Sequence, residues 1–501
     1  MRPILPITRR QMLQGTAAVA AARLLSGCGS GATAAGSGQA AVSNPQPAPS
    51  GPLTQATLNV TATSTGSIGA AFAGLSYEKS SLTEPLFTGA NSNLIGMFQR
   101  LGTSVLRIGG NSVDENVWTP NGAGQTSGQI APSDVTALAA FVKATGWQCL
   151  YGINLGGSAT GAQTTALAAA EVAYAAQAFG SSLLGIEIGN ECDLYGDSAS
   201  YYAGNWSLAK FEALWAQYRT AILATTPGVT LTGPASAGNE SSWTVPFGQS
   251  VTKSEITLLT QHYYRANGQS ASSTAAYLIT PDGTLVNNLA TLEAGAKSIG
   301  VPYRMSECNS YYNGGASGVS DSYASSLWVI DYLFDCALGG ASGVNFHGGG
   351  NSTGYTPIAN SSGTVMGARP EFYGILLFTL AGEGALYTTT VSAGALNVTG
   401  YAVKTATGLN LVVVNKDSTQ NLQLSVALPQ SVSSATLLEM TQLSTGATAP
   451  NLSATDSVTI QGASVGVNGS FATGAAYTLP ASGTQLRCYV PALSAVLIQL
   501  S

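Results

Sequence analysis

Charge is what this chain has least of. Only 8% of its 501 residues are Asp, Glu, Lys or Arg, against roughly a quarter in an ordinary soluble protein. Its surface must therefore be solvated mainly by Ser, Thr, Asn, Gln and Gly. With few carboxylates to protonate, an acidic medium would perturb such a surface comparatively little. Basic clusters are missing as well: 18 Lys and Arg stand against 24 Asp and Glu, so nucleic acid is not an expected partner. No apolar run reaches the roughly 18 residues of a membrane span. Two histidines, His262 and His347, give poor support to a His-based zinc site, and no metal or other cofactor is expected. Beyond Cys28, the cysteines at 149, 192, 308, 336 and 488 form no CxxC pair and no disulfide framework. They read as small buried apolar residues.

What the chain has in quantity is apolar and small: 45% hydrophobic residues, 60 Gly and 20 Pro. That excludes disorder for most of its length and suffices for a large core plus a satellite domain. At the N-terminus, Thr8-Arg9-Arg10-Gln11-Met12-Leu13 resembles a twin-arginine export motif, followed by the Ala-rich stretch Gly15 to Ala22. Leu25-Ser26-Gly27-Cys28 has the form of a lipoprotein cleavage box, in which a lipidated Cys28 would be the one membrane attachment. The alternative is a signal cut at an ordinary small-residue site, and Arg23 inside the apolar stretch weighs against both. Export to the periplasm, cell surface or exterior is expected. Residues 1–28 hold four Arg and no acid, so the remainder carries 14 bases against 24 acids, a net of −10. Residues 29–51 read as a flexible tether, and a monomer is expected.

Short apolar segments recur at Phe72–Tyr77, Ser104–Ile108, Gln148–Asn154, Leu183–Ile188, Thr230–Pro234, Leu258–Tyr264, Tyr303–Met305 and Gly343–Phe346. Helical periodicity separates them, least clearly between the fifth and sixth. Eight such units over roughly 300 residues predict an α/β fold, a (β/α)₈ TIM barrel over 66–382. A doubly wound sheet competes, but no GxGxxG follows the first strand. From about Gly382 the pattern turns to short strands with Gly, Ser, Asn and Pro turns. Together with an early strand at Ala56–Thr63, these predict an appended antiparallel β-sandwich over 52–65 and 383–501.

In a barrel, chemistry sits at the C-terminal ends of the strands. Against so few acids, Glu191 after strand four and Glu307 at the end of strand seven stand out. They lie 116 residues apart, which suits three βα repeats in an enlarged barrel. Two carboxylates facing one pocket is the requirement of acetal cleavage: one protonates the leaving oxygen, the other attacks or activates water. A lone strand-end Glu would read as a salt bridge or a solvated rim; the pair shifts the reading to catalysis. The amide of Asn190 can hydrogen-bond a sugar hydroxyl next to the reacting carbon.

Gly189-Asn190-Glu191 resembles the strand-four signature of clan A retaining glycosidases. Four segments in order resemble glycoside hydrolase family 79, the group of β-glucuronidases and heparanase. They are Leu106-Arg107-Ile108-Gly109-Gly110-Asn111, Gly189-Asn190-Glu191, Gln261 to Gly268, and Glu307 with Tyr312-Asn313-Gly314-Gly315-Ala316. The resemblance implies that Glu191 is the acid/base and Glu307 the nucleophile, with configuration retained. It puts Arg107 and Tyr264 around the nucleophile; for Arg107 a structural ion pair is the other reading, and both can hold together. Glu78 and Asn111 would bind sugar hydroxyls. His262 either lines the pocket or is a satisfied strand-end residue. Tyr312 and Gly314 match the segment that reads the sugar carboxylate. The family's Asn-Tyr-His after strand eight is Asn345-Phe346-His347 here, so a phenol is missing, with Tyr355 as its replacement from the following loop.

The expected substrate is terminal, non-sulfated β-glucuronic acid on a polysaccharide or glycoside, cleaved from the end. Endo-cleavage of a sulfated chain, as by heparanase, would want Lys and Arg along the cleft. Another clan A β-glycosidase and a non-catalytic polysaccharide-binding protein are the remaining alternatives. Two GxSxG matches, at Gly350 and Gly462, follow both histidines, which is the wrong order for a Ser–Asp–His triad.

Overall fold

The computed structural model describes residues 43–198 and 201–501. The twin-arginine motif, Cys28 and residues 29–42 of the expected tether lie outside them.

Eight parallel strands close into a barrel in chain order: Ala73–Glu78, Val105–Gly109, Gln148–Ile153, Leu183–Ile188, Leu231–Ser236, Leu258–Tyr264, Tyr303–Asn309 and Val344–Gly348, the last pairing with the first. Most of their residues are buried on both faces, which is why they read as short apolar runs. The principal helices that follow them are Ser92–Arg100, Pro132–Thr145, Thr165–Phe179, Leu208–Thr225, Val245–Ser250, Gly283–Ile299, Tyr323–Leu338 and Pro370–Ala381. The indistinct segment after strand five is a π turn, Glu240–Thr244, running into the six-residue helix with Pro246 in its first turn. Two short turns give too few residues for a 3.6 period to register. Strand seven runs four residues past its apolar segment Tyr303–Met305 and two past Glu307, and its polar continuation Ser306, Glu307 and Asn309 is also buried. At the floor of the barrel, Arg304 is buried without a carboxylate. It donates to Asn345 Oδ1 at 2.6 Å and to the carbonyls of Ala71, Phe72 and Val344, and burial pulls its pKa down to about 9.

Leu53–Ile68 and nine strands from Gly384 onward form one continuous ten-stranded sheet. Leu53–Ile68 lies between Gly384–Ser392, to which it is antiparallel, and Asn421–Val432, to which it is parallel. The expected sandwich is thus a single sheet curled on itself, antiparallel but for this one pair. Register shifts on either side of Ser64 bend the first strand. Leu437 from one end of the sheet and Leu486 from the other share an inner core with Leu58, Leu411, Val413 and Leu424. The alternate residues Val412 and Val414 turn the other way, into the core of the barrel's helical layer. There the Tyr323 hydroxyl donates to Leu493 O at 2.8 Å, the Tyr401 ring stacks on Phe334 at 4.1 Å, and Lys416 pairs with Asp331. Cys149, Cys192, Cys308, Cys336 and Cys488 are buried free thiols. Among the described residues no helix is long and apolar enough to cross a membrane.

Candidate active site

The C-terminal ends of the barrel strands converge on a cavity of about 370 Å³ lined by Glu78, Asn111, Glu191, Tyr264, Glu307 and His347. Tyr312, Asn313 and Gly314 from the loop after strand seven, with Ser352 and Tyr355 from the loop after strand eight, complete its wall. These loops are stitched together by backbone bonds: Tyr312 N to Ala266 O at 2.9 Å, Gly268 N to Tyr312 O at 2.9 Å, and Tyr355 N to Gly314 O at 3.2 Å.

Glu307 is the most constrained group in the cavity. Its Oε2 accepts from Arg107 Nη1 at 2.6 Å and its Oε1 from the Tyr264 hydroxyl at 2.7 Å. Burial alone would favour its neutral form. The positive potential of His347, His262 and Arg107, with the Tyr264 bond, outweighs burial and holds the carboxyl well below the usual range. Arg107 is buried on strand two and held by four groups. Its Nε donates to Glu187 Oε2 at 2.6 Å, its Nη2 to Asn190 Oδ1 at 2.8 Å, and its Nη1 to Ser76 Oγ at 3.3 Å as well as to Glu307. Despite burial, these two carboxylates keep the guanidinium charged. The structural ion pair, to Glu187, and the contact to Glu307 thus belong to one side chain.

Glu191 approaches from the opposite wall, with its side chain 21% exposed and its Oε1 3.1 Å from His262 Nδ1. Carboxylate oxygens of Glu191 and Glu307 and a ring nitrogen of His262 all lie within 4.8 Å of one another. These are ligand types that a divalent cation accepts. The cradle fits one poorly, however, because both oxygens of Glu307 already accept from a guanidinium and a phenol, and Arg107 brings positive charge to the same point. His262 is fully buried and stands behind Glu191 rather than on the cavity wall.

Glu78 Oε2 accepts from the Ser112 backbone N–H at 2.9 Å and its hydroxyl at 2.5 Å, and Oε1 lies 3.5 Å from His347 Nε2. Burial and the charge of Glu307 oppose its ionisation, but His347 and Ser112 prevail and lower its pKa. Gly110 makes this close approach workable: at φ +74°, any Cβ there would sit 2.3 Å from Glu78 Oε2. Asn190 Oδ1 accepts from Arg107, and its Nδ2 donates to Asn111 Oδ1 at 3.4 Å. Tyr312 is 44% exposed at the rim, and Tyr355 stacks obliquely on Tyr264 at 5.8 Å. Phe346 does not face the cavity, contrary to what the motif implies. Strand alternation sends Asn345 and His347 into the barrel and Phe346 outward, against Trp328 and Tyr332. A phenol at 346 would face the helical layer, so its absence takes nothing from the cavity.

No protein-family model matches the chain. It is 25% identical over 307 residues to a β-glucuronidase of Aspergillus niger, across 54% of this chain and 55% of that one. It is 25% identical over 253 residues to a β-glucuronidase of Neurospora crassa, across 45% and 44%. The chain spans about half the length of the curated relatives it matches. In structure it is similar to a 4-O-α-L-rhamnosyl-β-D-glucuronidase from Fusarium oxysporum, with TM-score 0.73 and 18% identity over 89% of this chain and 100% of that one. It is also similar to an α-L-arabinofuranosidase from Thermotoga maritima, with TM-score 0.62 and 14% identity over 89% and 99%. These likenesses establish the fold.

Two members of the site, His347 and Glu187, are absent from the residues expected there. His347 bridges Glu78 and Glu307, with Nδ1 3.1 Å from Ser76 Oγ and 3.6 Å from Glu307 Oε2. Burial disfavours its charge, yet the two carboxylates raise its pKa. Its place at the end of strand eight was a usable signal. Glu187, fully buried within strand four, gave none beyond being an acid in an apolar run. Together the side chains present one ionised, clamped carboxylate opposite one more exposed carboxyl, their oxygens within 4.8 Å, with polar groups around them.

Proposed function

We propose that this chain is a retaining, exo-acting β-glucuronidase that hydrolyses terminal, non-sulfated β-glucuronic acid by double displacement. One observation carries the reading: oxygens of Glu191 and Glu307 within 4.8 Å, in keeping with the roughly 5–5.5 Å of retaining pairs and well short of the 6.5–9.5 Å that leaves room for an inverting water. Glu307 attacks the anomeric carbon while Glu191 gives its proton to the departing glycosidic oxygen. Glu191, now a carboxylate, takes a proton from water, whose oxygen displaces Glu307 from that carbon. Arg107 and Tyr264 orient the nucleophile and keep it ionised. The Nδ2 of Asn190, one of whose two N–H groups is taken by Asn111, and the carboxylate of Glu78 suit the sugar hydroxyls. The Tyr312 hydroxyl and the glycine backbone at Gly314 suit the sugar carboxylate, which backbone N–H groups and a phenol can bind without a cation.

The stitched loops wall one side of the cavity, which favours cleavage from a chain end. Among the described residues that line it there is no Lys or Arg, which counts against a sulfated substrate. Membership of glycoside hydrolase family 79 is part of the same proposal, supported by the four ordered motifs and the two curated relatives. Export is also part of it: replacing Arg9 and Arg10 by Lys is expected to keep the protein in the cytoplasm.

Turnover of p-nitrophenyl β-D-glucuronide tests the reading, with NMR of the first-formed sugar. The expected result is β-glucuronic acid ahead of mutarotation, lost in Glu191→Gln and Glu307→Gln. An α-anomer product would refute retention; internal fragments of a polysaccharide without free glucuronate would refute exo action; binding without turnover would leave a polysaccharide-binding protein.

A further inference from the structure

The turn that carries Glu191 is tied to a buried carboxyl that the chemistry above does not use. Asp114 lies in the loop after strand two and is buried. Its Oδ1 accepts from the backbone N–H groups of Leu155 and Gly156, each at 2.9 Å, in the loop after strand three. Its Oδ2 accepts from the Tyr195 hydroxyl at 2.5 Å, and the Tyr195 oxygen accepts the Asn190 N–H at 3.5 Å. One carboxyl therefore joins the loops that leave strands two, three and four, and the last link ends on the residue before Glu191.

The backbone at this point needs such support. Glu191 has φ +49°, a left-handed conformation that a glutamate keeps only where its surroundings impose it. Gly189, at φ +86°, packs so closely that a Cβ would lie 2.4 Å from Cys192 Sγ and 3.0 Å from the Tyr195 hydroxyl. On the far side, Glu191 N donates to Ala235 O at 2.8 Å. The turn is thus pinned from strand five on one flank and from Tyr195 on the other, and its conformation decides where the Glu191 carboxyl points.

We propose that Asp114, acting through Tyr195, is the positioning residue for Glu191: it fixes the turn that presents the acid to the glycosidic oxygen. This rests on the reading of Glu191 as acid/base. Asp114 touches no substrate and transfers no proton. Its effect is confined to the step that needs a well-placed acid, because a displacement of about an ångström is enough to cost a catalytic group much of its effect.

The test compares kcat/KM for phenyl β-D-glucuronide, whose leaving group needs protonation, with that for 2,4-dinitrophenyl β-D-glucuronide, whose leaving group does not. Asp114→Asn and Tyr195→Phe are expected to lower the first by roughly ten- to a hundredfold and to leave the second within about threefold. Tyr195→Phe keeps the ring packed on Tyr201 and Trp206, so it remains informative if Asp114→Asn fails to fold. Equal losses on both substrates in Tyr195→Phe, or no loss on either, overturn the proposal. Glu191→Gln on the same pair separates the two ideas. If it shows no dependence on the leaving group, the acid/base reading falls and takes this one with it. If it does and Tyr195→Phe does not, only the positioning role is lost.

Discussion

Arg107 Nη1 lies 2.6 Å from Glu307 Oε2, inside the barrel, with the guanidinium fully buried. A buried pair of this kind contributes little net stability, because desolvation cancels most of the attraction. Its value is directional: a planar guanidinium fixes the plane of the carboxylate. Glu187 adds the second negative charge that keeps Arg107 itself comfortable away from water.

Arg107→Leu should therefore damage the fold more than the pair was ever worth. It leaves Glu187 buried without a counter-charge and Glu307 with only the two histidines beside it, a change of about 3–5 kcal/mol. Urea unfolding reads the effect directly; a loss under 1 kcal/mol would show that the carboxylates find other partners.

Tyr264→Phe removes a hydrogen bond that favours the ionised form of Glu307. Such bonds are worth about 1.5–3 kcal/mol, or roughly one to two pH units. The acidic limb of the kcat/KM–pH profile should move upward by about that much. An unmoved limb would mean that another group sets it.

Glu371 gives a pH effect of opposite sign. Burial pushes its carboxyl from 4.5 up to about 8, against one hydrogen bond from Asn309. The folded protein holds this proton while the unfolded chain releases it, so stability falls as pH rises from about 4.5 to 8. Glu371→Gln has no proton to lose. It should match the parent near pH 4 and exceed it at pH 8.5 by on the order of a few kcal/mol, measured by thermal melts at both values. Glu307 works the other way: its depressed pKa stabilises the fold above 4.5, and that contribution fades as pH drops through the folded value.

Phe346→Tyr tests the outward direction of residue 346. The added hydroxyl enters the packing against Trp328 and Tyr332 rather than the cavity. Stability should fall by about 1–3 kcal/mol with KM for a glucuronide unchanged. A lower KM would mean that the position reaches the sugar after all.

How much of this was written in the chain follows from what faces where. Strands in a closed parallel barrel are covered on both sides, so Leu183–Ile188 and Leu258–Tyr264 are bounded correctly by hydrophobicity alone. Glu191 and Glu307 emerge as isolated acids at the ends of such runs. Arg107 and Tyr264 come from the family resemblance; the groups that hold Arg107, Ser76 and Glu187, do not emerge, because they sit as polar residues inside apolar runs and what they touch depends on how the barrel closes. The orientation of Phe346 was hidden for the same reason: a sequence motif names neighbours but not the face each one takes. The appended antiparallel domain is legible from its alternating strands, but its wrapping is not, because such strands look alike whether two sheets stack or one curls round.

The first strand has a consequence for synthesis. Gln55 meets Gln423 across a sequence separation of 368, and Leu53–Ile68 finds both of its neighbours only from residue 384 onward. A nascent chain must hold this segment unpaired until nearly the whole polypeptide has left the ribosome. Such distant pairing makes maturation slow, and it implies that premature termination anywhere before the last hundred or so residues yields a product with an open, sticky edge at its beginning.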